Sequence, residues 1–337
     1  MLKRILVLIL ISIFLSGCSR DKREIITFSS WGSVTEVAII KNIINEFERK
    51  NPDIKVRFIH IPQNYFQKVH LLFASNTSPD VIFVNNLYLP VYKNKLKNLN
   101  NLIDKNELFK QSVDALSIDK QLFAIPRDVS NLVIYYNKNY ITYEPRTFAD
   151  FDKQIKRNYG KNTFGISYER DIFYAEPYIL TLGYDNGIKY YLGLEGKYAP
   201  KPYDAGSLTQ AQMFLNENLA FYTSGRWMYP KIKETAKFEY GIMAFPGKTY
   251  ADASGWAISK NTKHINSAQK FVKYLSSKEC IDYFTSTGLI VPARKDSAAI
   301  FKGKDKVFLD AIKNSEPRPI DYNYNKNRDK INKELFN

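Results

Sequence analysis

The chain has 337 residues, 45% of them hydrophobic, which is enough to bury a large core and favours two domains. Its formal charge of +15 would suit anionic lipid, acidic glycans or nucleic acid, but the lysines are spread along the chain and only Lys326 to Lys333 is locally basic. No recognition-helix or zinc-finger pattern occurs, which argues against a nucleic-acid partner, and two cysteines are too few for a fold stapled by disulfides.

The N-terminus reads as an export signal over residues 1–17. Lys3 and Arg4 form a charged start, Ile5 to Leu15 is apolar except for Ser12, and Ser16-Gly17 precedes Cys18. The apolar run is too short to span a bilayer stably, and no other stretch is long and apolar enough. Leu15-Ser16-Gly17-Cys18 resembles the lipobox of bacterial lipoproteins. That resemblance implies cleavage before Cys18, a diacylglyceryl group on its thiol, and a tether over 18–23 that holds the protein to the membrane on its extracytoplasmic side. Losing Lys3 and Arg4 with the signal leaves a charge of +13. Cys280, within Glu279-Cys280-Ile281, is expected to be a buried small hydrophobe.

Ile25 to Ser29 reads as a strand ending at Trp31-Gly32. Val34 to Lys50 then places Val37, Ile40, Ile44 and Phe47 on one helical face, and Asn51-Pro52 stops it. Ile54, Val56 and Phe58 alternate with charged residues, as in a strand. A helix with Tyr65, Val69, Leu72 and Phe73 follows, then the continuous apolar run Val81 to Val84 of a covered parallel strand. This β-α-β-α-β order predicts a doubly wound sheet. Phe123 to Asn137 reads as strand with a break near Pro126 and Asp128. Beyond Tyr140 helical patterns are short and weak, until Leu208 to Leu219 reads as helix leading into Phe221-Tyr222-Thr223. Strands are expected at Gly241 to Pro246 and Trp256 to Ser259, helices from Ser267 and Ser277, and a strand at Leu289 to Pro292.

Several segments together resemble the family 1 extracellular solute-binding proteins, the maltose- and oligosaccharide-binding components of ABC importers. They are FSSWGSVTEVAIIKNIINEFERKNPDIKVRF, SPDVIFVNN, FAIPRDVSNLVIYYNKNY, AFYTSGRWMYP, SGWAISKNTKHINSAQKFVKYLSS and STGLIVPARKD, in the family's order across most of the chain. The resemblance implies an α/β periplasmic-binding-protein fold of type II, two lobes that close on a ligand like a Venus flytrap, with no catalysis, cofactor or metal. It also implies an ABC permease as partner and a monomeric receptor. Residues 24–127 and 254–290 would form the first lobe, 128–253 and 291–337 the second. The chain between Tyr140 and Trp227 is shorter than usual in the family, so the second lobe should be reduced. Arg226 stands where the family often has proline before the tryptophan, and is expected to make a charge contact or face water.

A sugar presents hydroxyls at its edges and C–H groups on its faces, so its pocket needs flat aromatic rings with planar donors and acceptors. Such a pocket belongs between lobes, beyond the carboxyl ends of strands. Ser30 and Trp31, Asn85 and Asn86, Arg127 and Asp128, Ser254 and Trp256, Arg294, and above all Trp227 are the candidates. Each has a plainer reading: Asn85-Asn86 as an Asx turn, Arg127-Asp128 as a hinge brace, Trp256 and Trp227 as core, Arg294 as solvated. Tyr65 and the Tyr135-Tyr136 pair read as structural.

Two other functions fit less well. An anionic solute such as a glycerol phosphate compound would use Arg127, Arg226 and Arg294. A surface hydrolase would need facing carboxylates, for which Asp128 and Asp252 are available, but His60, His70 and His264 are isolated and no nucleophile elbow or phosphate loop occurs.

Overall fold

The computed structural model describes residues 23–160, 162–201, 204, 206 and 208–336. The export signal, Cys18 and nearly all of the expected tether therefore lie outside the described residues.

The strands of the two main sheets are β1 (Glu24–Ser30), β2 (Ile54–His60), β3 (Val81–Asn85), β4 (Ile125–Ser130), β5 (Val133–Asn137), β6 (Phe164–Ile166), β7 (Leu219–Ser224), β8 (Tyr240–Ala244), β9 (Tyr250–Ile258), β10 (Val291–Pro292) and β11 (Glu316–Pro317). The main helices are α1 (Val34–Lys50), α2 (Tyr65–Ala74), α3 (Phe148–Arg157), α4 (Ile172–Leu182), α5 (Tyr184–Leu192), α6 (Gln210–Leu215), α7 (Tyr229–Thr235), α8 (Ile265–Leu275), α9 (Lys278–Ser286), α10 (Lys306–Lys313) and α11 (Tyr324–Phe336).

Two sheets organise the molecule. The first has the order β10-β4-β9-β3-β1-β2, with β11 beside β9. The opening β-α-β-α-β unit is parallel as expected, but β9 runs antiparallel to both β3 and β4, so the sheet is mixed. Its core gathers Phe28, Phe83, Trp256, Phe271 and Phe284, with Cys280 buried among them. Each ring fully removed from water contributes roughly 1.5–3 kcal/mol. Burial also pushes the Cys280 thiol up to about 11, as an inert structural cysteine requires. The second sheet, β8-β5-β7-β6, is short-stranded and covered on both faces. Phe151, Tyr178, Phe221 and Phe336 pack one side, while Tyr135, Phe214 and Phe308 pack in a second cluster.

α1 shows why the local reading succeeds. Ser33 caps it by accepting the Glu36 N–H, Ile40, Ile44 and Phe47 face the core, and the Asn51 side chain closes it on the Phe47 carbonyl at 2.9 Å. The region at Pro126 differs from expectation. β4 runs through Pro126 and Asp128 without breaking, because the register shifts between Ser254 and Gly255 of the partner strand. Gly255 is needed there, since a Cβ would lie 2.1 Å from the Ile125 carbonyl oxygen. The break comes instead at Asn131-Leu132, where the chain leaves the first sheet for the second. The boundaries expected at 127/128 and 253/254 thus fall inside β4 and β9.

Candidate ligand site

β1 and β3 end on the side of the first sheet where β4 leaves and β9 arrives, because Asn85 at the end of β3 pairs with Ser254 midway along β9, and Ser254 with Asp128. In the second sheet β6 and β7 are parallel, and Ser224 at the end of β7 pairs with Val133, the first residue after the crossing. The loops at the carboxyl ends of both sheets therefore lie on the side where the chain crosses: Ser30–Ser33 and Asn86–Tyr88 from the first, Ser167–Asp171 and Gly225–Met228 from the second.

Trp227 sits on the last of these. It is 40% exposed, against 0% for Trp256, in a single 3-10 turn between β7 and α7. Its six-membered ring lies directly on Gly225, where a Cβ would come within 1.9 Å of Cζ3. The turn beneath is fixed by the Tyr135 hydroxyl, which donates to the Gly225 carbonyl at 3.0 Å, and by Met228 N–H on the same oxygen. A large ring held rigidly and left partly open is what stacking on a sugar face requires. Trp31 is half-buried, its ring wedged against Tyr65, Phe66 and Phe83 at centroid distances of 6.1, 5.2 and 5.4 Å. His60 Nε2 lies 3.1 Å from the Gly32 carbonyl in the same loop.

The remaining candidates divide. Ser30 is buried, and its Oγ has no partner among the described residues. Asn85 accepts the Tyr88 N–H three residues on at 3.1 Å, capping the turn after β3 instead of making an Asx turn, and Asn86 binds Asp252 at 2.8 Å and the Ala253 N–H. Arg127 is a brace: buried over the rings of Phe83, Trp256 and Phe284, it pairs with Asp128 at 2.5 Å and Glu36 at 2.6 Å. Burial works against its charge, but Asp128 and Glu36 outweigh it and hold the guanidinium above its ordinary range. Ser254 donates to the other Asp128 oxygen at 2.6 Å.

Three readings are corrected. Trp256 is core, packed edge-on against Phe28 and Phe83, because it lies in the half of β9 that is buried on both faces. Arg294 is not at solvent: it is buried, holds Glu107 and Asp296, and reaches the Ser276 carbonyl. Arg226 does not face water: it turns inward at 4% exposure, and its charge contact is internal, to Asp305.

Residues that the sequence reading passed over surround the second lobe's side. Tyr174 lies within charge range of Glu169, Tyr222, Asp171 and Arg328. Arg328, on α11, pairs with Asp171 and stands beside the first lobe's Tyr88, whose ring meets Tyr324 at 6.0 Å. Tyr324 is buried with a hydroxyl that has no partner among the described residues. Glu169 has no ion pair or side-chain hydrogen bond among them, and burial raises its pKa, with Asp171 adding to the shift. The only signal was the polar run Tyr168 to Asp171 after a short strand.

Glu169 carries a prediction. Its native pKa stands above its unfolded value, so its contribution is favourable at low pH and lost as pH rises through the native pKa. Glu169→Gln should therefore raise the melting temperature at neutral pH and remove part of the pH dependence above the unfolded carboxylate range. An unchanged pH profile of stability would count against this.

Among the described residues no group of three or more His, Cys, Asp or Glu side chains could hold a metal ion, and no helix is long and apolar enough to cross a membrane.

Known proteins agree with this architecture. The multiple sugar-binding protein of Streptococcus mutans is 25% identical over 330 residues, covering 82% of this chain and 78% of that one. A maltooligosaccharide ABC transporter solute-binding lipoprotein of Streptococcus pneumoniae is 27% identical over 245 residues, which is 59% of this chain and 56% of that protein. Among solved structures, the ABC substrate-binding protein Lmo0181 of Listeria monocytogenes, in complex with cycloalternan, superposes with a TM-score of 0.82. It is 22% identical and the match covers 93% of this chain and 92% of that one. The family model described as bacterial extracellular solute-binding protein matches residues 42–311, and the chain belongs to that family.

Proposed function

We propose that this receptor takes a carbohydrate, most simply an oligosaccharide, between its lobes and hands it to an ABC permease while anchored through lipid on Cys18. The observation that carries the reading is Trp227, a braced and 40% exposed indole on the side where the chain crosses. Half-buried Trp31, the open carboxylate of Glu169 and the Tyr324 hydroxyl supply the further ring and polar groups that sugar hydroxyls need. Relatives named for multiple sugars and maltooligosaccharides support the same class. We take the receptor to act as a monomer on the extracytoplasmic side of the membrane.

The competing readings lose their residues. Arg127, Arg226 and Arg294, the cations an anionic solute would need, are all buried and engaged internally. Asp128 and Asp252, the carboxylates a hydrolase would need, are each held by an arginine.

Calorimetry with a panel of neutral and acidic mono- and oligosaccharides, repeated at high salt, tests the class. Saturable binding of a neutral oligosaccharide with little salt dependence is expected. Binding confined to anionic compounds and weakened strongly by salt would overturn it.

A further inference from the structure

Of the arginines buried close to where the chain crosses between lobes, Arg127, Arg318 and Arg226 have different partners. Arg127 has Asp128 and Glu36, and Arg318 has Asp252 and Glu176, all at 2.5–2.6 Å. Arg226 has one carboxylate, Asp305, at 3.4 Å, and its Nη1 has no partner among the described residues. Instead its guanidinium lies in a cage of three rings, Phe301 at 4.3 Å, Phe308 at 4.6 Å and Tyr229 at 5.1 Å. Its Nε donates at 3.0 Å to the carbonyl of Ile290.

That carbonyl decides the matter. Ile290 belongs to the first lobe's core and immediately precedes β10, the strand after which the chain passes to the second lobe's α10. Arg226 belongs to the second lobe and is the neighbour of Trp227. Gly288 lies against Pro230 and Tyr229 at the same seam, with a Cβ there 3.5 and 3.6 Å from them. A hydrocarbon side chain would fill the aromatic cage without the desolvation that an arginine with a single distant carboxylate suffers. What a hydrocarbon cannot do is hold a carbonyl of the other lobe.

We propose that Arg226 is a positioning residue for Trp227, tying the turn that carries the indole to the crossing at Ile290 so that the ring is set by the arrangement of the lobes. The proposal rests on Trp227 being the ligand platform, and deepens that reading by naming what orients it. Planarity matters as well as charge, since the guanidinium stacks on rings while its Nε points in the ring plane toward Ile290.

The test uses Arg226→Met, which fills the cage, and Arg226→Lys, which keeps charge without the planar fork. Acrylamide quenching of the Trp227 emission is read in ligand-free protein as the difference from matched Trp227→Phe variants. Both substitutions should change that quenching while circular dichroism stays native. With maltotriose as probe, Arg226→Met should weaken binding about tenfold, the scale of coupling between neighbouring residues, yet add little when Trp227 is already alanine. Unchanged quenching would overturn the proposal, as would equal losses of affinity with and without Trp227. If wild-type protein binds no oligosaccharide, the platform reading fails, and quenching of the ligand-free protein still decides whether Arg226 sets the indole.

Discussion

Trp227→Ala is expected to weaken oligosaccharide binding by about 30-fold or more while leaving the melting temperature nearly where it was. The affinity term follows from truncating a large aromatic at the centre of a contact, where losses of about 2 kcal/mol or more are usual. The stability term follows from position. Trp227 is 40% exposed and rests on a backbone that Tyr135 and Arg226 hold from below, so its removal opens no cavity in either core. Trp256→Ala supplies the contrast. That ring is fully buried between Phe28, Phe83 and Phe284, and its loss should cost roughly 3–5 kcal/mol of stability. Calorimetry and thermal melts on the two variants separate the roles. A large drop in melting temperature for Trp227→Ala would return that residue to the core.

Arg318→Met should be the most destabilising substitution of a charged residue. Arg318 follows β11 and forks onto two carboxylates, Asp252 of β9 at 2.6 and 3.0 Å and Glu176 of α4 at 2.5 and 2.7 Å, while stacking over Tyr250 at 4.4 Å. Asp252 is bound in turn by Asn86 of the first lobe, and α4 packs in the second lobe's core. One side chain thus joins both lobes through the strand that connects them. Burial already pushes the Glu176 carboxyl above its ordinary range, with Arg318 opposing. Removing Arg318 leaves two buried carboxylates uncompensated, which costs about 3–5 kcal/mol. Glu176, already raised by burial, would lose the arginine that opposes the shift and titrate at higher pH than when unfolded, so the deficit should shrink as pH falls through that range. Adding Asp252→Asn and Glu176→Gln to Arg318→Met should restore most of the stability. A deficit independent of pH, or no rescue in the triple variant, would contradict the linkage.

The first lobe was legible because its information is local. α1 and the strands β1 to β3 follow from apolar spacing, capping and the Asn51-Pro52 stop, all within short windows of sequence. The second lobe was less so. α4 carries Pro177 within it, and α5 carries Gly187, whose Cβ would lie 2.4 Å from the Ile179 Cα, so packing between helices overrides the local preference. α10 and α11 were missed because their burial depends on distant partners, as when Phe336 enters the second lobe's core.

The site divides along the same line. Trp227 stood out through its resemblance to the family's pocket tryptophan, and the Arg127-Asp128 pairing could be suspected from adjacency. The fates of Trp256, Arg226 and Arg294 depended on which way each side chain turns, which spacing does not specify for residues at strand ends and in short turns. Asp171 and Tyr174 meet Arg328 only through the fold, from more than 150 positions away in the chain for Asp171.

The central claim is that one ligand is gripped by loops of both lobes and shifts the population toward the closed state. Amide hydrogen exchange, with and without the oligosaccharide that calorimetry selects, addresses it directly. The account predicts slower exchange on ligand binding in two separate sets of loops, around Trp31–Ser33 in the first lobe and around Glu169–Asp171 and Gly225–Met228 in the second. Protection confined to one lobe, or appearing away from these loops, would contradict it.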